Sequence, residues 1–75
     1  MRTTTILLRS ISDVKEFVNI ISKCDFDVDL VSGRYIVDAK SIMGIFSLDL
    51  AKPIVANIHN DDCQSLLDDI KKFAE

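Results

Sequence analysis

Asp25-Phe26-Asp27-Val28-Asp29-Leu30 alternates carboxylate and apolar side chains without a break. An extended chain sends successive side chains to opposite faces, so Phe26, Val28 and Leu30 share one side and the three carboxylates the other. Such a strand has one buried face and one wet face. Ser32-Gly33 then marks a tight turn, and Arg34 to Asp38 is a second β-rich segment, so the two read as a hairpin with Tyr35 and Val37 on one face. An antiparallel sheet covered on one side is the frame the other segments must fit.

Upstream, Arg2 to Leu8 is rich in Thr, Ile and Leu, a composition suited to a pleated, half-buried surface, and reads as the first strand. Ser12-Asp13 offers a helix N-cap, and Asp13 and Glu16 have the spacing of a capping box. Val14, Phe17, Val18 and Ile21 recur at helical spacing, so a helix runs to about Lys23-Cys24. Downstream, Ser41 opens Ile42-Met43-Gly44-Ile45-Phe46-Ser47-Leu48, which holds too many apolar residues for one face of so short a helix. Some of them must be exposed. Pro53 suits the start of a strand, and Ile54, Ala56 and Ile58 alternate with Val55, Asn57 and His59. Asn60 or Asp61 can cap a last helix carrying Leu66, Leu67, Ile70 and Phe73 or Ala74, with Lys71-Lys72 late where the helix dipole favours cations. The order is β-α-β-β-α-β-α. In one small domain this implies an α+β fold, a four-stranded antiparallel sheet with its helices on one face.

The chain has 75 residues, enough for one domain spanning residues 1–75 and too few for two. With 48% apolar and 28% charged residues it has the mixture of a folded domain. Nine Lys and Arg, dispersed along the chain, against twelve Asp and Glu give a net charge of -3, so there is no electrostatic footprint for nucleic acid or for a membrane surface. The apolar runs fall far short of the ~18 residues that span a bilayer. Arg9 interrupts the first apolar stretch, which therefore lacks the core of a secretory signal, and the expected location is cytoplasmic. Cys24 and Cys63 could form one bridge, but cytosolic thiols stay reduced.

Phe17-Val18 through Ser22-Lys23, Asp27-Val28-Asp29-Leu30, the Gly33 turn, and above all Lys40-Ser41-Ile42-Met43-Gly44-Ile45 with Ser47-Leu48 resemble HPr, the histidine-containing phosphocarrier protein of the phosphotransferase system. Lys-Ser-Ile-Met-Gly is the pattern of its Gram-positive members. The resemblance runs without a gap from Phe17 to Ile58 and implies the open-faced β-sandwich of that family. It also implies where chemistry should sit: a Gly-x-His-Ala-Arg-Pro loop before the first helix, whose imidazole takes a phosphoryl group from Enzyme I.

The matching stretch here is Leu8-Arg9-Ser10-Ile11-Ser12-Asp13. Ser10 stands at the histidine, Ser12 at the arginine and Asp13 at the proline, and the loop is a few residues shorter. Phosphoryl relay needs a nucleophile of near-neutral pKa and donors for the phosphoryl oxygens, and a serine without a base offers neither. Asp13 would repel an incoming phosphate. With the fourth strand beside the first, as the resemblance implies, His59, the only imidazole, lies at the far end of its strand from this loop, and it reads as an exposed polar residue. In Gram-positive members the serine matching Ser41 is phosphorylated by HPr kinase/phosphorylase, which turns the protein into a regulator of carbon catabolite repression. The residues alone leave Ser41 open between an ordinary N-cap and such a site, since a phosphate there is favoured by the same backbone N–H groups. Ile42, Met43 and Phe46 are the partner-binding candidates, Met being suited to adaptable contacts.

Other constellations carry little. His59 and Cys63 straddle a strand-to-helix junction beside Asp61 and Asp62, a capped helix start rather than a metal site, and Asp25, Asp27 and Asp29 form a solvated face rather than a calcium loop. Ser10, Ser12 and His59 make no triad. Cys24 at a helix end reads as a small buried hydrophobe.

The expectation is therefore a non-enzymatic HPr-like protein with no catalytic residues, metal or cofactor, similar to catabolite-repression HPr-like proteins, which also lack the histidine. Its partners would be proteins, HPr kinase/phosphorylase or a transcriptional regulator among them. Asp49 and Pro53 depart from glycine-like positions of the family. Two alternatives stand beside it: a phosphocarrier component with another acceptor, and a scaffold without phosphorylation. A homodimer through the first strand or the Ser41 helix is compatible with an adhesive edge and with exposed Ile42 and Met43.

Overall fold

The computed structural model describes residues 1–74. Four strands, β1 (Arg2–Ile6), β2 (Val28–Ser32), β3 (Tyr35–Asp38) and β4 (Ile54–Ile58), form one antiparallel sheet in the order β1-β4-β2-β3. Helices α1 (Ile11–Ile21), α2 (Ile42–Phe46) and α3 (Gln64–Asp69) intervene in the anticipated order, and a single 3-10 turn over Lys71–Phe73 closes the chain.

The period-two pattern determines which side is covered. Val28 and Leu30 of β2, Ile54, Ala56 and Ile58 of β4 and Ile6 of β1 are fully buried, and they join Val14, Phe17 and Ile21 of α1, Ile45 of α2 and Leu66 of α3 in one core. Phe17 meets Phe73 edge to face with ring centroids 5.9 Å apart, tying the first helix to the end of the chain. The opposite sheet face carries no helix. This is the α+β open-faced sandwich expected from the sequence.

Local signals shift several boundaries. β1 ends at Ile6 rather than Leu8, because Leu7 N–H donates to the Phe73 carbonyl at 2.8 Å and the last turn takes over the pairing. β2 begins at Val28 rather than Asp25, although His59 N–H still donates to the Asp27 carbonyl at 2.9 Å, and Phe26 is half-buried. α1 is capped by Ser10, not by Ser12-Asp13: Ser10 Oγ accepts from Asp13 N–H at 3.1 Å, and Asp13 Oδ2 accepts from Arg9 N–H at 3.0 Å. These bonds sit one turn earlier than the Asp13 and Glu16 pairing, with Arg9 rather than the cap residue donating to the carboxylate, and Glu16 instead meets Lys72. α3 starts after Cys63, not after Asn60 or Asp61, and ends before Lys71-Lys72. Asn60 Oδ1 is taken by Asp62 N–H at 2.8 Å, a local turn that delays the helix.

Candidate functional site

Two places on the helical side were singled out by sequence, and the fold separates their roles. At the first, the start of α1, Ser10 is extended (φ -151°, ψ 167°) and its hydroxyl caps the helix. Ser12 is exposed in the first turn, and the half-buried Asp13 places a carboxylate at the same end. Thus the Ser10 hydroxyl is an acceptor for backbone N–H with no imidazole beside it, and it is flanked by the Asp13 carboxylate and by the exposed Arg9.

His59 does not repair the deficit. Ile6 pairs with Ile54 and Arg2 with Ile58, so the loop after β1 adjoins the start of β4 and His59 follows its far end. Five residues of strand separate the two ends by about 17 Å. His59 Nε2 lies 2.7 Å from Asp29 Oδ2 on the open face of the sheet. His59 therefore lies at the opposite end of the sheet from Ser10 and Ser12.

At the second place, Ser41 caps α2 with φ -95° and ψ 99°, and its Oγ accepts from Gly44 N–H at 3.2 Å while its carbonyl accepts from Ile45 N–H at 3.0 Å. A side chain on Gly44 would put Cβ 3.1 Å from Ser41 Oγ and 3.3 Å from Val37 Cβ, which explains why the third helical residue is glycine. The segment before Ser41 is anchored too: Ser41 N–H donates to the Asp38 carbonyl at 2.9 Å, and Lys40 Nζ reaches the Cys24 carbonyl at 3.2 Å. Ser41 is exposed. Of the apolar candidates, Met43 is 77% and Phe46 39% exposed, whereas Ile42 is only half-buried and packs against the core. The excess of apolar residues is resolved by burying Ile45 and leaving Met43 in water.

After α2, Asp49 builds its own turn: its Oδ1 accepts from Ala51 N–H at 3.1 Å and Lys52 Nζ lies 3.9 Å from Oδ2. This carboxylate at a glycine-like position is thus accommodated locally. Burial pushes the Cys24 thiol up from its ordinary value, with Lys40 pulling the other way. Cys24 is half-buried rather than buried, and both thiols are free. The hydrogen bond and charge of the Met1 ammonium, 2.5 Å from Asp61 Oδ1, hold that exposed carboxyl below its usual range. Among the described residues no group of three or more His, Cys, Asp or Glu is placed to hold a metal ion. Among the described residues no helix is long and apolar enough to cross a membrane.

No protein-family model matches the chain, and no curated protein sequence matches it. Solved structures do. The crystal structure of HPr-C-His from Thermoanaerobacter tengcongensis is similar with a TM-score of 0.80 and 24% identity, over 96% of this chain and 89% of that one. That of a phosphocarrier protein HPr from Bacillus anthracis str. Ames gives a TM-score of 0.73 and 20% identity, over 99% and 96%. The fold is therefore that of HPr, as the resemblance of the Ser41 segment implied.

Proposed function

We propose that this chain is an HPr-fold protein related to the sugar phosphotransferase system that has given up histidine phosphotransfer and acts as a protein-binding regulator switched by phosphorylation at Ser41. The observation that carries the reading is the occupation of the α1 start: Ser10 Oγ is committed to Asp13 N–H at 3.1 Å, while the only imidazole lies beyond the other end of β4. A carrier without a carrier group retains only its surfaces.

Ser41 is the residue at which such a surface can be switched. Its hydroxyl is exposed and already directed at the first turn of α2, so an esterified phosphate would face backbone N–H donors rather than a carbonyl or a carboxylate. Met43, two residues on, supplies an exposed, adaptable apolar contact, and Phe46 adds an aromatic one. A phosphate at Ser41 adds roughly -1.5 to -2 charges beside that contact, enough to admit a partner with an arginine and to exclude one without. Partners of this kind would be proteins: a kinase that installs the phosphate and a regulator that reads it.

The test is intact-mass analysis after incubation with ATP and a Gram-positive HPr kinase, with a true HPr as positive control. One added phosphate on the wild type and none on Ser41→Ala is the expected result. An unmodified chain beside a fully modified control would overturn the proposal and leave Ser41 as an N-cap of a binding scaffold.

A further inference from the structure

The open face of the sheet has an arrangement that the helical side does not use. Register aligns Val55 with Val31 and Val31 with Ile36, so three branched apolar side chains form one row across β4, β2 and β3. Asn57, Asp29 and Asp38 form the next row, two residues along each strand. Ile36 is 68% exposed, although the fold has a covered side where it could have been placed. β1 contributes only Thr3 and Thr5 to this face.

The carboxylates on it, Asp29 and Asp38, face no lysine or arginine at an outward strand position. Asp29 and Asp38 are direct cross-strand partners, an opposition that costs stability in an antiparallel pair. Each carboxylate has one donor or partner, His59 Nε2 at 2.7 Å from Asp29 and Lys40 N–H at 2.9 Å from Asp38. The Lys40 ammonium, two residues from Asp38, reaches instead for the Cys24 carbonyl. Among the outward positions of the four strands there is no lysine or arginine.

We infer that this face docks a cationic, partly apolar segment of a partner protein. Rows two residues apart along a strand are ~6.8 Å apart, the distance between residues i and i+2 of an extended chain. A segment of the form apolar-x-Lys or apolar-x-Arg, laid along the strands, sets its apolar side chain on the valine row and its cation at Asp29 and Asp38. A second copy of this chain offers no lysine or arginine among the outward strand positions of the same face, its His59 being already paired with Asp29, and an anionic membrane surface is repelled by the carboxylates. This surface lies across the sheet from Ser41 and stands whether or not Ser41 is phosphorylated.

The probe is a synthetic peptide built from the repeat Thr-Val-Thr-Lys, titrated into the isotope-labelled protein and followed by amide chemical shifts. The expected result is saturable shifts centred on Val31, Ile36 and Val55. Replacing both carboxylates (Asp29→Asn with Asp38→Asn) should weaken binding about tenfold, one decade of Kd. The same charge change made elsewhere (Asp62→Asn with Asp69→Asn) should leave Kd within about twofold, as expected for screened, distant charges. The inference is overturned by shifts elsewhere or none at ~1 mM peptide, the weak end of binding. Equal loss in both double variants, or equal binding of a Thr-Val-Thr-Glu peptide, overturns it as well. So does self-association of the free protein through this face, or its capture by phosphatidylglycerol vesicles.

Discussion

Replacing Ser10 by alanine tests whether the phosphocarrier position has become a structural cap. The substitution removes the Oγ acceptor 3.1 Å from Asp13 N–H and leaves that donor to water. Loss of a serine N-cap costs about 1 kcal/mol, whereas glycine at the same place costs a few tenths because its freer backbone lets water replace the hydroxyl. At roughly 0.05–0.15 kcal/mol per residue the whole domain is stable by about 4–11 kcal/mol, so the loss is readily measured. For a domain of this size it corresponds to a fall in Tm of about 4–8 °C. Urea denaturation followed by circular dichroism should show the midpoint moving at constant slope. Asp13→Ala, which frees the Arg9 N–H held at 3.0 Å, should be similarly costly and should couple to Ser10→Ala by more than about 0.5 kcal/mol, since both side chains hold the same end of α1. A Ser10→Ala protein as stable as the wild type, or a glycine variant as weak as the alanine one, would refute the assignment of Ser10 as the cap.

Three further outcomes follow from the packing. Phe17→Ala removes a fully buried ring and its edge contact with Phe73, costing about 3–5 kcal/mol, and should lower Tm by roughly 12–40 °C in a thermal melt. Gly44→Ala should destabilise by about 1 kcal/mol, because a methyl 3.1 Å from Ser41 Oγ and 3.3 Å from Val37 Cβ costs roughly 1–3 kcal/mol, more than the roughly 1 kcal/mol of helix propensity it gains. Retained or increased urea stability would show that Val37 gives way freely. At pH 7.5 the native Cys24 should alkylate more slowly than glutathione, since burial raises its pKa and keeps it as a thiol; peptide mapping that finds it faster would contradict that environment.

The sheet was legible because its signal is a strict period of two. The carboxylate alternation of 25–30 and the Gly33 turn located the hairpin, and Ile54, Ala56 and Ile58 located the buried side of β4, each of them fully buried. Helix ends were less legible, for a physical reason. Ser10 and Ser12 are both competent caps, and the choice between them depends on where β1 releases the chain, which Phe73 determines from the other end of the sequence. The same holds for Asn60, whose side chain is taken by a local turn before α3 starts. At the candidate site, the missing imidazole and the Ser41 cap could be read directly. The half-burial of Ile42 could not, because spacing alone does not say which apolar residues of so short a helix face the core. The apolar row Val55, Val31, Ile36 was hidden as well, since only the register aligns residues so far apart in sequence.

The central claim is that phosphate enters this fold at Ser41 and not at the start of α1. The most direct test treats the same preparation in two arms, one with phosphoenolpyruvate and Enzyme I and one with ATP and an HPr kinase, and reads intact mass and acid lability in each. Regulation at Ser41 without histidine phosphotransfer predicts no adduct in the first arm and a single acid-stable phosphate, abolished by Ser41→Ala, in the second. An acid-labile phosphate in the first arm would contradict it.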